Sequence, residues 1–419
     1  MYTRTIYILL ALLLVTTGCG PPAMQAATPT EQEIEPPLVA SPTPPPGPTD
    51  TPIPTPTPRP EGWVVMETAH YPSPRTGHAM AMLPDGRVLL FGGRDADGNV
   101  LGDTWIFGPE ASAYSPGEGG RQLALLTSRD WLLATGGIAL WTILPRPARS
   151  PDPEDWTQIT PPDSPPARAG SSLVTLPDGR VMLFGGVDAS DILFNDLHVF
   201  AANKWSPITP ANDPPPGRGL HTAWVYGDRM YVQGGIGKPV PGQTYTTLHE
   251  DLWRYDLPSN TWQQLQNPPD AISNFASPVI YDDKVYFSDP HRCYPDACTF
   301  DFYDFYDFLI EMWSNVKPEG EWPLVDKYSI NAQVDKMLYR LGGMNVDQIT
   351  HTSIPSAEVW RWDMETLTWS RMEDMPYPGY KGKAVYDAFQ NRVIVYGGEM
   401  LLDGEEKYSS YTSVWWLGP

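Results

Sequence analysis

Several residues in this sequence have types and spacings that could carry chemistry. Arg75, Arg168 and Arg218 recur in similar surroundings, and His78 and His221 each follow their arginine by three residues. Guanidinium groups gathered at one place could hold carboxylates or acidic sugars through paired hydrogen bonds. The same repetition also suits a structural tie, because a ligand site rarely needs one residue in every unit. His291, Cys293 and Cys298 give an H-x-C-x4-C spacing. Outside the cytoplasm the two cysteines favour a local disulfide, and a zinc site would lack an evident fourth ligand. Asp95-Ala96-Asp97-Gly98-Asn99 begins like a calcium loop, but Val100 and Ile106 stand where an EF-hand needs Gly and Glu. A polar turn accounts for it. Asp301, Asp304 and Asp307 alternate with Phe302, Phe305 and Phe308. Solvated acids over packed rings explain that stretch without a cation.

The elements that would position these residues are short strands. Pro166 to Ile208 holds four: Ser171–Leu176, Arg180–Phe184, Asp196–Phe200 and Lys204–Ile208, parted by Pro-Asp-Gly, Gly-Gly and Ala-Ala-Asn turns. Such runs of β-branched and aromatic residues between turn formers predict hairpins. The unit recurs. Glycine pairs close the second strand at Gly92-Gly93, Gly136-Gly137, Gly185-Gly186, Gly234-Gly235, Gly342-Gly343 and Gly397-Gly398, with Ser288-Asp289 in the equivalent place of the fifth unit. Their spacings are 44, 49, 49, 54, 54 and 55 residues. Four strands in a period near ~50 residues describe a propeller blade, and a radial array covers the faces that one blade leaves bare.

These repeated positions resemble the kelch-repeat family. That family places Arg and His on the innermost strand, a hydrophobic run into Gly-Gly, an Asp-Leu opening the third strand and a Trp on the outermost. Here Arg75, Arg168 and Arg218 take the first position, with Ser171 replacing one His. Asp103, Asp196-Leu197 and Asp251-Leu252 take the third, and Trp156, Trp205, Trp262, Trp313 and Trp369 the fourth. The resemblance covers about residues 61–419 and implies an all-β propeller. We expect seven blades, with six as the alternative if the degraded second or fifth unit is an insertion. The lone strand Glu61–Thr68 carries Trp63, and the last unit lacks an outer strand. The first is therefore expected to complete the last and close the ring.

Ahead of that domain, Met1–Val15 has Arg4 and an apolar run from Ile6 to Val15. Ten apolar residues are too few to span a bilayer, so residues 1–18 read as a signal peptide. Thr16-Thr17-Gly18-Cys19 resembles a bacterial lipobox and implies lipidation of Cys19; a simple cleaved signal is the alternative. Gly20–Pro60 contains 15 prolines in 41 residues. It has neither the donors nor the apolar content for a core and reads as an extended stalk, able to reach about 100 Å. The expected location is thus the outer face of a cell membrane, with the lipid as the only membrane contact.

The net charge is −22, with the acids spread along the chain. Nucleic acid and anionic bilayers both attract basic patches, so neither is expected as a partner. Variable loops on a rigid scaffold concentrate function. Here they are Arg94–Gly102, Val187–Asn195, Ile236–Glu250, Met344–Ser356 and Glu399–Tyr411. The expected role is a monomeric, cofactor-free module that binds a protein or glycan on this loop face. The family resemblance also admits enzymes: galactose oxidase, whose copper site needs paired Tyr and His with a Tyr-linked Cys, and metal-free sugar mutarotases. Neither residue set is evident as a motif, and the fold alone licenses neither activity.

Overall fold

A computed structural model of the protein describes residues 62–109, 154–239, 246–268, 278–287, 303–317, 325–346, 353–402 and 405–417, with short pieces at 292–294, 297–299, 319–321 and 323. The leader, Cys19, the Pro-rich segment, Gly136-Gly137, Ser288-Asp289, His291, Asp301 and Phe302 lie outside these residues. All regular structure described is β, and no helix occurs among the described residues.

Each blade is an antiparallel meander of four strands, named here from the axis outward. In blade 2 these are Ser172–Thr175, Val181–Phe184, Leu197–Ala201 and Lys204–Ile208. Blade 3 has Thr222–Tyr226, Arg229–Gln233, Leu252–Asp256 and Thr261–Gln264. Blade 4 has Pro278–Tyr281, Lys284–Phe287, Tyr303–Asp307 and Met312–Val316, and blade 5 has Ile330–Val334, Met337–Val346, Ser353–Asp363 and Thr368–Arg371. The second strands are almost wholly apolar, as in Val181–Phe184, because both faces of a blade pack on a neighbour.

Blade 1 changes the expected count. Its first three strands are Ala79–Met82, Val88–Asp95 and Val100–Gly108, and its outer strand is Asp155–Ile159, with Phe107 opposite Trp156. Trp156 therefore completes the first blade and not a second one. The described residues form six four-stranded blades rather than seven, and the segment around Gly136-Gly137 falls between the third and outer strands of blade 1. The sheet packing agrees. Among the described residues there are six apolar clusters, one between each pair of adjacent blades. Val181, Leu183 and Trp205 of blade 2, for example, pack directly on Leu89, Phe91 and Ile106 of blade 1. The fifth sequence unit, which looked degraded, is a full blade 4. Its inter-strand insertion forms the hairpin Arg292–Tyr294 with Ala297–Thr299.

The ring closes as the lone Trp63 strand suggests. Blade 6 consists of Lys383–Asp387, Arg392–Tyr396, Thr412–Trp416 and, as outer strand, Gly62–Met66. The register sets Gly62 opposite Trp416 and Met66 opposite Thr412, and the Trp63 ring stacks on Trp415 at 5.4 Å between centroids. Outer tryptophans also bind blades together. Trp156 Nε1 donates to Thr412 Oγ1 of blade 6 at 2.8 Å. Trp205 Nε1 reaches Thr104 Oγ1 of blade 1 at 3.3 Å.

Trp63 is half-buried, so Trp63→Ala should cost about 2 kcal/mol, roughly half the usual loss for a fully buried Trp. Chemical denaturation at constant slope would report it. An unchanged midpoint would mean that the closing strand contributes little.

Candidate functional site

The recurring arginines are built into the scaffold. Arg75 donates from Nη1 to the Gly92 carbonyl at 3.0 Å and grips Asp103 with both Nη atoms at 2.6 and 2.8 Å. Arg168 holds the Gly185 carbonyl and Asp196, and Arg218 the Gly234 carbonyl and Asp251, in the same way. All three side chains are fully buried. The Asp that opens each third strand is thus the counter-ion of the Arg that precedes the first, within one blade. Burial works against ionisation of Asp103, Asp196 and Asp251. All three carboxyls nonetheless sit below their ordinary value: the guanidinium hydrogen bonds and charge outweigh burial at Asp103 and Asp251, and at Asp196 the His198 hydrogen bond and then Arg168 do so. With every guanidinium committed, these arginines form no ring of open anion receptors.

The backbone of the same arginines joins neighbouring blades. Gly93 N–H donates to the Arg168 carbonyl at 2.9 Å, Gly186 to Arg218 at 2.8 Å and Gly398 to Arg75 at 2.9 Å. The first glycine of each pair lies against that carbonyl: a Cβ on Gly185 would stand 2.7 Å from the Arg218 oxygen, at φ +65°. Only glycine fits there.

His78 and His221 fill the space beside these pairs. The His221 ring lies against Gly185, and its Nε2 shares a 2.8 Å hydrogen bond with Ser172 Oγ. Burial first, and the Arg218 charge second, bring His221 down to about 3, and the same causes with Arg75 lower His78. Both imidazoles are therefore neutral packing groups at neutral pH. The unfolded chain protonates His221 near the ordinary value of 6.5, and the folded chain only near 3. Because the folded value is depressed, stability is complete above pH 6.5 and falls as pH drops through that window. Denaturation midpoints measured from pH 7 to 3 should decline, and His221→Gln should flatten part of the slope.

The inner strands surround a recess of about 780 Å³ at one mouth of the axis. Its wall comes from the residues that lead into the inner strands and from the loops after the glycine pairs. Arg94, Asp191, Ile236, Glu399 and Tyr408 bring four of the five expected loops to it. The described residues of Met344–Ser356 are not among those that line it. The position two before the inner strand is left-handed in five blades: Gly77, Gly170, Leu220, Tyr328 and Lys381, with φ between +54° and +68°. Leu, Tyr and Lys tolerate that conformation poorly, yet all three line the mouth. Lys381 pairs with Glu399 at 2.8 Å, and Tyr380 donates to the same carboxylate at 2.6 Å. Lys383 also lines the recess and is exposed to it.

No sequence pattern pointed to Tyr328, Lys381 or Lys383. The structure places the other motif residues elsewhere. Asp95 caps its own turn through Asn99 and Asp97 amides, as a polar turn should. Asp307 accepts from Leu309 and Ile310 amides beyond the strand. The backbone register sets Cys293 opposite Cys298, while their side chains fall outside the described residues. Among the described residues, no three His, Cys, Asp or Glu side chains converge as metal ligands.

Six radial four-stranded sheets, glycine pairs on the second strands and buried Arg–Asp ties define a kelch β-propeller. Residues 150–343 match the KLHDC2/KLHL20/DRC7 Kelch-repeats domain. Over that stretch the chain carries kelch repeats. It is 22% identical to kelch domain-containing protein 10 of Xenopus tropicalis, over 63% of this chain and 64% of that one. It is 24% identical to an F-box/kelch-repeat protein of Arabidopsis thaliana, over 54% of this chain and 52% of the relative. Against multiple epidermal growth factor-like domains protein 8 of Homo sapiens the identity is 27% over 41% of this chain, but only 7% of the relative is covered. The chain thus spans less than two thirds of the curated relatives it matches. The solved structure of YjhT superposes with a TM-score of 0.55 at 15% identity, covering 82% of this chain and 95% of that one. That likeness concerns the fold.

Proposed function

We propose that this protein is a surface-tethered propeller whose loop face recognises a protein or glycan. The observation that supports this reading is the axial recess, walled by loops that differ from blade to blade on a scaffold whose repeated charges are already paired. A scaffold with its own charges satisfied leaves the unrepeated residues free for a ligand. Kelch propellers serve generally as protein-binding modules, which agrees with this. The glycan option rests on the recess itself, whose size suits a short oligosaccharide or a peptide end.

The tether comes from the leader and the stalk. Cleavage before Cys19, lipidation of that residue and about 100 Å of proline-rich chain would hold the recess clear of the bilayer. In an oxidising compartment Cys293 and Cys298, facing each other across their hairpin, would form a disulfide that pins the blade 4 insertion.

Two measurements test the reading. Expressed in a bacterium, the chain should label with palmitate and fractionate with membranes, while Cys19→Ser should do neither. Labelled protein applied to glycan and peptide arrays should give saturable hits that Leu220→Arg, which crowds the mouth, abolishes. Array hits indifferent to that change would move recognition away from the recess. Turnover of reducing sugars without stable binding would replace the binding role by an enzymatic one.

A further inference from the structure

Repetition shows which parts of the mouth the scaffold needs. The residue after the glycine pair is Arg94, Val187, Ile236 or Met344 in four blades and Glu399 in blade 6. Each pairs its backbone with a residue ahead of the inner strand. The fold therefore asks for no acid at this place, and blade 6 alone has one. The left-handed position repeats the point. Glycine serves it in blades 1 and 2, yet blade 5 has Tyr328 and blade 6 has Lys381, at φ +60° and +57°. Glycine suits such a backbone better, so the backbone gives no reason for a tyrosine or a lysine here.

The side chains of these unrepeated residues meet at one point. The Lys381 ammonium stands 5.1 Å from the centre of the Tyr328 ring, 5.1 Å from that of Tyr380 and 2.8 Å from Glu399 Oε1. The Tyr380 hydroxyl donates to Glu399 Oε2 at 2.6 Å, and the two rings lie 6.5 Å apart at 44°. Two ring faces and a carboxylate around one ammonium make a cation cage, because all three present negative charge to it. Tyr328, Lys381 and Glu399 line the recess.

The parts of the cage differ in freedom. Tyr380 is 3% exposed and the Glu399 side chain 13%, and strand pairing and their hydrogen bond tie the two together. The Lys381 side chain is 34% exposed and reaches the cage on a flexible four-carbon stem. What is fixed is the receptor, and what can swing away is its occupant. The net charge of −22 draws cations toward the protein rather than anions. An incoming anion would have to pull Lys381 off a carboxylate already in contact, whereas an incoming ammonium replaces like with like.

We infer that the cage is the subsite for an ammonium group of the ligand, and that Lys381 fills it in the free protein and yields it on binding. The assignment rests on the recess being the ligand site. Lysine side chains and amino sugars both carry such a group. An internal occupant lowers the apparent affinity, because only the molecules with the cage open can bind. Removing the occupant unmasks the site.

Calorimetric titration of the full chain with Nα-acetyl-lysine amide and with glucosamine tests this, with N-acetylglucosamine as the uncharged control. Lys381→Gly should bind at least one cationic probe about tenfold more tightly than the wild type does. The probe that gains tells a protein ligand from an amino-sugar one. Lys381→Asn, a residue that tolerates the left-handed conformation, should show the same gain, and adding Glu399→Gln to either should remove it. Unchanged affinity in both variants, a gain shared by N-acetylglucosamine, or a gain that survives Glu399→Gln would overturn the inference. Failure of both variants to fold would do so too, since Lys381 would then be a tie of the mouth and not an occupant. Array partners bound equally by the wild type and Lys381→Gly would leave the recognition role standing while removing the cage.

Discussion

The contact between a glycine and the arginine of the next blade sets the geometry of the ring. Each of these arginines acts twice. Its side chain closes its own blade by spanning the first and third strands, and its carbonyl receives the N–H of the second glycine in the preceding blade's pair. A buried guanidinium is tolerable only when its donors are met. Here Nε takes a carbonyl two residues back, Nη1 a glycine carbonyl and Nη2 the carboxylate. The close approach leaves no room for a side chain at Gly185, and the positive φ forbids one in any case. Blade spacing, apolar packing and the position of the recess wall all follow from this junction.

Repetition and departure from it then divide the labour. Residues that recur, such as the Arg–Asp pairs and the outer tryptophans, bind the sheets to themselves and to each other. Residues that break the pattern collect on one sector of the mouth, where blades 5 and 6 supply Tyr328, Asn331, Lys381 and Lys383. The left-handed position makes this visible: two blades fill it with glycine, while Tyr328 and Lys381 occupy it against their conformational preference. Strain of this kind persists where surrounding contacts hold it in place.

Much of this was legible in the sequence, for local reasons. Glycine pairs, turn dipeptides and the Asp-Leu starts report backbone conformations that few other residues allow, so strand order and the closing role of Trp63 could be read directly. Blade number could not. Leu123–Leu126 followed by Gly136-Gly137 has the look of another unit, and only the pairing of Thr104 with Ile159, across more than fifty residues, shows where Trp156 belongs. The site was hidden for a different reason. Lys383 is an ordinary lysine in an ordinary strand until ring closure makes that strand part of the recess wall. Leu220 likewise gives no sign that its backbone is left-handed.

Joining Gly62 to Trp416 also has a kinetic side. The last sheet is assembled from the two ends of the domain, so no growing chain can finish it before Thr412–Trp416 emerges. Until then Gly62–Met66 has no strand to pair with, and the Arg392–Tyr396 edge stays bare. Bringing such distant segments together carries a large loop-closure entropy, and contacts of this range slow folding. A chain that stops before Thr412 would forfeit the seam as a whole and leave the Arg392–Tyr396 edge bare. Arrival of the Thr412–Trp416 strand, and not any local element, is what commits this propeller to its native state.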